Sequence, residues 1–317
     1  MATSPEQLPS PSGLPGMVWI PGGSFRMGSD HHYPEEAPAH DVNVEGFWMD
    51  VHTVTNEQFA AFVAATGYST VCEQEPEPAF YPGANPALLV PGSAVFQKPR
   101  RLVTPNDWPS WWAYTPGACW YHPEGPESNI LGREQHPVVH VTYEDALAYA
   151  RWAEKDLPTE AEWERAARGM LSGAEFCWGD EQAPEGALMA NYWQGSFPWQ
   201  NLVLDGFEGS APVGSFPPND FGLYEMAGNV WEWTQTHYTA RHVAPATSAC
   251  CAPENPRGAK HEGFEFIPRS FARRVLKGGS FLCAQNYCYR YRPAARIPET
   301  VDTSTCHIGF RCVVRPG

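Results

Sequence analysis

Lys277-Gly-Gly-Ser-Phe-Leu-Cys-Ala-Gln-Asn-Tyr-Cys-Tyr-Arg-Tyr-Arg292 carries two cysteines, Cys283 and Cys288, with four residues between them. A Gly-Gly-Ser turn precedes the pair, and an aromatic and arginine run follows it. Two thiols this close can form a disulfide, hold a soft metal ion, exchange redox equivalents, or sit inert in a core. A structural zinc site wants four protein ligands, and spacing places no further Cys or His here. Copper(I) is soft and accepts two thiolates. The usual thiol-redox motif has two intervening residues rather than four. On the residues alone, soft metal, redox pair and inert core stay open.

Outward from this stretch, the 317-residue chain is 43% hydrophobic, with 28 Gly and 32 Pro. That is ample for a core, and it favours short elements joined by irregular loops. The formal net charge of -15 makes nucleic acid an unsuitable partner, because phosphate binding needs clustered Lys and Arg. Residues 1–16 lack the basic start and apolar core of a signal peptide and read as a disordered tail. No stretch approaches the ~20 apolar residues of a membrane span. A cytoplasmic address is expected, where most of the nine cysteines would be reduced.

Met17–Ile20 and Ser24–Met27 read as two strands around a turn, followed by a solvated loop over 28–40. Asp41–Val44 and Gly46–Asp50 read as further strands. Thr55 with Gln58 is a capping box that opens a helix ending at Gly67. Residues 72–130 are dense in Pro, Gly and aromatics and are expected to line a surface groove. His136–His140 reads as a strand, Thr142 caps a helix over 143–154, and Thr159 with Glu162 boxes another that stops at Gly169. Glu160, Glu162 and Glu164 are explained by the helix macrodipole rather than by catalysis. The whole predicts one mixed α+β domain over 17–317 with much coil. Two groups near Gly-rich turns, Asn191–Phe197 with Asp205–Gly209, and Gly228-Asn229 with Glu232, are weak hard-oxygen ligand sources. Ordinary Asx turns and a tight hairpin account for them equally well.

The motifs Ile20–Gly28, His136–Val141, Leu157–Glu164, Asn191–Phe197, Gly222–Tyr224, Gly228-Asn-Val-Trp-Glu-Trp233 and Gly309–Arg311 resemble the formylglycine-generating enzymes, or sulfatase-modifying factors. The resemblance spans nearly the whole chain. Most of these landmarks mark a broader domain that also occurs in sulfoxide synthases, inactive paralogues and binding proteins. The specific element is Gly278–Cys283 followed by Tyr287–Arg292, since inactive paralogues and sulfoxide synthases lack the cysteine pair.

The resemblance implies a C-type-lectin-like α+β fold of low regular secondary structure. It implies an oxidoreductase that uses O2 to convert the cysteine of a Cys-X-Pro-X-Arg segment in type I sulfatases to Cα-formylglycine. Cys283 and Cys288 match the active-site cysteines that bind Cu(I), with the substrate cysteine as a third thiolate. Hydrogen abstraction from the substrate Cβ gives a thioaldehyde that hydrolyses, and an external thiol reductant supplies electrons. Ser280 matches a serine beside the O2 pocket, and Trp233 and Tyr287 match substrate-side aromatics. One structural Ca2+ site maps to Asn191, Tyr192, Asp205 and Phe207, and a second to Ala227, Gly228, Val230 and Glu232. Ala150, Ala166 and Pro293 stand where secretory members have disulfides, which agrees with a bacterial-type cytoplasmic enzyme, expected as a monomer without nucleic-acid or membrane partners. Gly92–Phe96 lacks an acid that family members place near the substrate arginine, and the insert at 238–270, with Cys250 and Cys251, has no assigned role. The competing readings are a non-catalytic lectin-like peptide- or glycan-binding module and an iron-dependent, sulfoxide-synthase-like thiol oxidation.

Overall fold

A computed structural model describes residues 13–103, 107–242, 255–256 and 272–316. The strands are β1 (Met17–Ile20), β2 (Gly23–Met27), β3 (His40–Val44), β4 (Phe47–Asp50), β5 (Gly92–Phe96), β6 (Trp112–Pro116), β7 (Trp231–His237), β8 (Arg273–Lys277), β9 (Arg296–Thr300), β10 (Ile308–Gly309) and β11 (Val313–Val314). The α-helices are α1 (Asn56–Thr66), α2 (Tyr143–Trp152) and α3 (Glu160–Arg168). Each begins with a capping box: Thr55 with Gln58 and Thr159 with Glu162, as read from the sequence, and Thr142 with Asp145, where the sequence reading names only the Thr142 cap. Gly67 ends α1 at φ 68°, a left-handed cap suited to a residue without Cβ.

The strands pair differently from the sequence reading. β1 and β2 do not form a hairpin; β1 pairs with β4 and β4 with β11, while β2 pairs with β3. Residues 92–116, which carry no sustained pattern, supply the antiparallel pair β5–β6. The largest sheet has the order β10-β7-β8-β9. His136–His140 forms no named strand. Val138 N–H donates to the Val54 carbonyl at 2.9 Å, but His140 turns to φ 58° and leaves the extended path. The Gly228-Asn229 turn is not a hairpin either. It docks on residue 191, with Asn229 N–H donating to the Asn191 carbonyl at 2.8 Å, and β7 follows directly.

The main core packs α1 and α2 aromatics (Phe59, Phe62, Tyr149) against Trp163 of α3, Trp233 of β7 and Leu276 of β8. Below it lies a buried ionic cluster. Lys277, fully buried at the end of β8, meets Glu164 at 2.9 Å and Glu160 at 3.8 Å. Arg168 also binds Glu164 at 2.7 Å, and Arg296 binds Glu160 at 2.7 Å. The macrodipole therefore does not suffice for these acids; they neutralise buried cations that fix the exit of β8. Residues 1–12 of the proposed tail, and Cys250 and Cys251 of the insert, lie outside the described residues.

Candidate active site

β8 ends at Lys277 and delivers the chain into a Gly278-Gly279 turn, with φ 93° and 75°. Cys283 N–H then donates to the Ser280 carbonyl at 2.9 Å, and Cys288 N–H to the Ala284 carbonyl at 2.9 Å. These two turns fold the loop back on itself and bring Cys283 Sγ to 3.1 Å from Cys288 Sγ. Both are free thiols, since a disulfide would need about 2.05 Å. The loop is held from both sides. Trp193 N–H donates to the Cys283 carbonyl at 2.9 Å, and Phe281 N–H to the Asn229 carbonyl at 2.9 Å. The landmarks 191–197 and 228–233 are thus supports of the cysteine loop.

The two sulfurs differ. Cys283 is 1% exposed, and burial, then the neighbouring sulfur, push its thiol well above the ordinary range. Cys288 is half-buried. A hydrogen bond from the Cys283 thiol, reinforced by the Arg290 guanidinium, holds its pKa below the ordinary range against burial. Arg290 Nη1 lies 3.9 Å from Cys288 Sγ. Cys288 is therefore the sulfur of the pair that ionises more readily, and Cys283 the one that keeps its proton longer. Ser280 N–H points at Cys283 Sγ at 3.4 Å, and the Ser280 hydroxyl accepts from Leu282 N–H at 3.3 Å.

Arg290 is itself clamped. Its guanidinium lies 3.7 Å from the Tyr33 ring centroid and binds Glu35 at 2.6 Å. The Tyr33 hydroxyl accepts from Tyr289 N–H at 3.1 Å. The loop over 28–40 is thus no merely solvated segment: Glu36 is fully buried against Arg292. Sequence reasoning passed over Tyr33, Glu35 and Glu36. The only signal was an acidic pair, Glu35-Glu36, in a chain whose Arg290 and Arg292 lack local partners.

An aromatic wall flanks the pair. Tyr287, 39% exposed, stacks on Phe197 at 4.3 Å and 10° and meets the edge of Trp111 at 6.2 Å. Phe96 of β5 stacks on Phe197 at 5.9 Å. Tyr287, one residue before Cys288, keeps part of its ring exposed. Trp233 does not. It is fully buried, donates its indole N–H to the Val141 carbonyl at 3.0 Å and packs on Tyr143, so it cannot touch a substrate. Trp111 and Phe197, themselves buried, back the exposed ring of Tyr287.

The metal-ligand expectations divide. Two sulfurs 3.1 Å apart, one of them the more readily ionised, form a soft donor set that fits a two-coordinate ion. Among the described residues no group of three or more His, Cys, Asp and Glu could hold a metal, so a four-ligand zinc site finds no support. Around Asn191, the Gln194 amide nitrogen donates to both Tyr192 O and Asp205 Oδ2, so these two oxygens converge on one point. Phe207 N–H donates to Asp205 Oδ1 at 3.0 Å, which ties the second half of that set. The set over Ala227, Gly228, Val230 and Glu232 loses its carboxylate. Glu232 accepts from Trp163 Nε1 and Arg311 Nε, each at 2.8 Å on Oε2, and from Arg311 Nη2 at 2.8 Å on Oε1. Its charge is already neutralised by a buried guanidinium.

Known proteins share this arrangement of chain. The sulfatase-modifying factor enzyme 1-like domain matches residues 3–316. The chain is 54% identical to a formylglycine-generating enzyme of Mycobacterium tuberculosis, over 96% of this chain and 99% of that one. It is 45% identical to a mouse protein of the same name, over 96% of this chain and 76% of that one. It is also 36% identical to a mouse protein named inactive C-alpha-formylglycine-generating enzyme 2, over 96% of this chain and 87% of that one. Among solved structures, PvdO from Pseudomonas aeruginosa superposes with a TM-score of 0.63 at 23% identity, over 95% and 94% of the two chains. Treponema denticola variable protein 1 follows at 0.57 and 18%, over 95% of each. The architecture is the C-type-lectin-like α+β fold with few helices and much coil.

Proposed function

Starting from the fact that the chain belongs to the sulfatase-modifying factor family, we propose that it oxidises the cysteine of a Cys-X-Pro-X-Arg segment to Cα-formylglycine. Sulfatase modification is the function its relatives named formylglycine-generating enzyme support. An inactive-named relative sits in the same family, so membership alone does not decide activity. The observation that carries the reading is the approach of Cys283 and Cys288 to 3.1 Å beside Arg290, at the rim of an aromatic wall.

Cys283 and Cys288 would hold copper(I), which supplies one-electron chemistry toward O2. The remaining roles belong to the protein. Arg290 offsets thiolate charge at Cys288, and the Ser280 N–H fixes the Cys283 sulfur. Tyr287, Phe197 and Trp111 exclude water from one side of the pair. In the overall reaction the substrate thiol, O2, and two electrons with two protons from a thiol reductant give the aldehyde, one hydrogen sulfide and one water. We further propose a cytoplasmic monomer, with calcium at the Asn191, Tyr192, Asp205 and Phe207 set only. Among the described residues no helix is long and apolar enough to cross a membrane.

The test is incubation of Cu(I)-loaded protein with a Cys-X-Pro-X-Arg peptide under air and a thiol reductant, followed by mass spectrometry. Wild type should turn the cysteine side chain into an aldehyde, and Cys283→Ser and Cys288→Ser should not. A peptide left intact by wild type would sink the oxidase reading. Conversion by Cys283→Ser would sink the residue assignment.

A further inference from the structure

The loop joining the two cysteines has a second face. Gln285 and Asn286, both exposed, border an open cleft of about 470 Å³ that Tyr192, Leu188 and Leu204 also line. The cleft abuts the site described above, because Trp193, which also lines it, donates its N–H to the Cys283 carbonyl. Its volume lies in the range of pockets that take small ligands or short segments, roughly 300–1,000 Å³.

Its chemistry is unusual for this chain. In a protein of net charge -15, no charged side chain among the described residues lines it. The polar groups are side-chain amides, which both donate and accept. Two of them are committed: Gln182 donates to the Tyr291 hydroxyl at 3.0 Å, and Gln194 Oε1 accepts from Leu204 N–H at 2.8 Å. The amides of Gln285 and Asn286 stand at its exposed rim. Leu204 is 67% exposed at its edge. The Asp205 carboxylate beside the cleft is taken up by the Gln194 amide, so no charged side chain faces into it, and a wholly apolar ligand would strand the amides. An extended polypeptide matches both features: its backbone pairs with amides, and its side chains meet Leu188 and Leu204.

We infer that this cleft is a subsite for residues flanking the reactive cysteine of the polypeptide substrate, accepting uncharged side chains and backbone amides; the inference rests on the function proposed above. It makes Asn286 and Leu204 specificity-determining, at positions apart from the paired sulfurs.

The test uses peptides sharing one Cys-X-Pro-X-Arg core, extended by neutral, acidic or basic residues on either side, with steady-state kinetics on wild type, Asn286→Asp and Leu204→Lys. Both substitutions are at exposed positions, where folding is tolerant of charge. Wild type should show its lowest KM with neutral flanks. Asn286→Asp should lower KM for basic flanks and raise it for acidic ones, each by roughly two- to fivefold, with a smaller change in kcat. Leu204→Lys should give the opposite sign. A merely structural role would shift all peptides alike. KM values blind to flank charge in both variants would overturn the subsite while leaving the oxidase reading intact. Failure of wild type to convert any peptide would overturn the oxidase reading, and this inference with it.

Discussion

Arg292 and Glu36 form a two-pronged buried ion pair, Nη1 to Oε2 at 2.9 Å and Nη2 to Oε1 at 2.6 Å, with both side chains at most 1% exposed. The pair ties the loop after β2 to the segment that follows the cysteines. Removing one partner leaves a buried charge without compensation. Glu36→Gln should therefore destabilise the protein by about 3–5 kcal/mol. The double variant Glu36→Met/Arg292→Leu should lose less than Glu36→Gln alone, because no charge remains stranded. Urea unfolding of the three proteins measures this, and a larger loss in the double variant would contradict the account.

In metal-free, reduced protein, Cys288 should be alkylated by iodoacetamide well before Cys283. Cys288 is the less buried residue of the two, and its pKa is held down by the Cys283 thiol and then by Arg290. Cys283 is buried, and its thiol is pushed up. Lost positive charge disfavours the thiolate, so Arg290→Ala should raise the pH at which Cys288 becomes reactive. Arg290→Lys should restore part of the effect. Peptide mapping of the alkylated sites against pH distinguishes these outcomes from equal labelling.

Some of this site was legible in the sequence and some was not. The three helix caps at Thr55, Thr142 and Thr159 and the Gly67 stop are local chemistry, set by residues three or four apart, and all are present. The cysteine pair is local too, because two backbone turns within 280–288 suffice to join the sulfurs. The strand order is not local. β4 chooses β1 and β11 rather than its sequence neighbour β3, and nothing in a four-residue apolar run names its partner. Trp233 was misplaced for a related reason: alternation along β7 decides which face a side chain takes, and the β7 residues 231–234 are all buried, so the pattern gives no face. Trp111 and Phe197 reach Tyr287 from distant segments, beyond any spacing argument.

His140 predicts an acid weakness. It is fully buried, with Nε2 facing the Pro123 carbonyl at 2.8 Å and Nδ1 beside the Ser93 hydroxyl at 2.7 Å. A carbonyl can only accept, so Nε2 carries the proton of the neutral ring. Burial lowers its pKa from 6.5 to about 4. The unfolded chain binds a proton as pH falls below 6.5, while the folded chain does so only near 4. The neutral ring therefore leaves stability untouched above 6.5, and stability falls between 6.5 and about 4, by about 3 kcal/mol from this residue. Urea midpoints measured across that window should decline in wild type. They should decline less steeply in His140→Gln, which has no proton to gain; equal slopes would remove His140 as a cause.

Gly279 sets how closely the cysteine loop passes the Arg290-Tyr291 backbone. At φ 75°, a Cβ would lie 2.9 Å from the Arg290 carbonyl oxygen and 3.0 Å from Tyr291 Cα, both backbone atoms that cannot rotate away. Gly279→Ala therefore combines a left-handed strain of about 1–2 kcal/mol with a backbone clash. Relief requires 279–283 to move away from 290–291, and that motion separates Ser280 and Cys283 from Cys288 and Arg290. The expected result is a loss of stability of roughly 2–4 kcal/mol together with weakened Cu(I) uptake. Gly83 is a control of the same chemistry, because its φ is 84° but a Cβ there meets nothing within 4 Å. Gly83→Ala should show the backbone strain without the loss of Cu(I) binding. Competition titration with a Cu(I) chelator, alongside urea unfolding, separates the two. Equal copper affinity in Gly279→Ala and wild type would show that the close passage at residue 290 does not hold the sulfurs together.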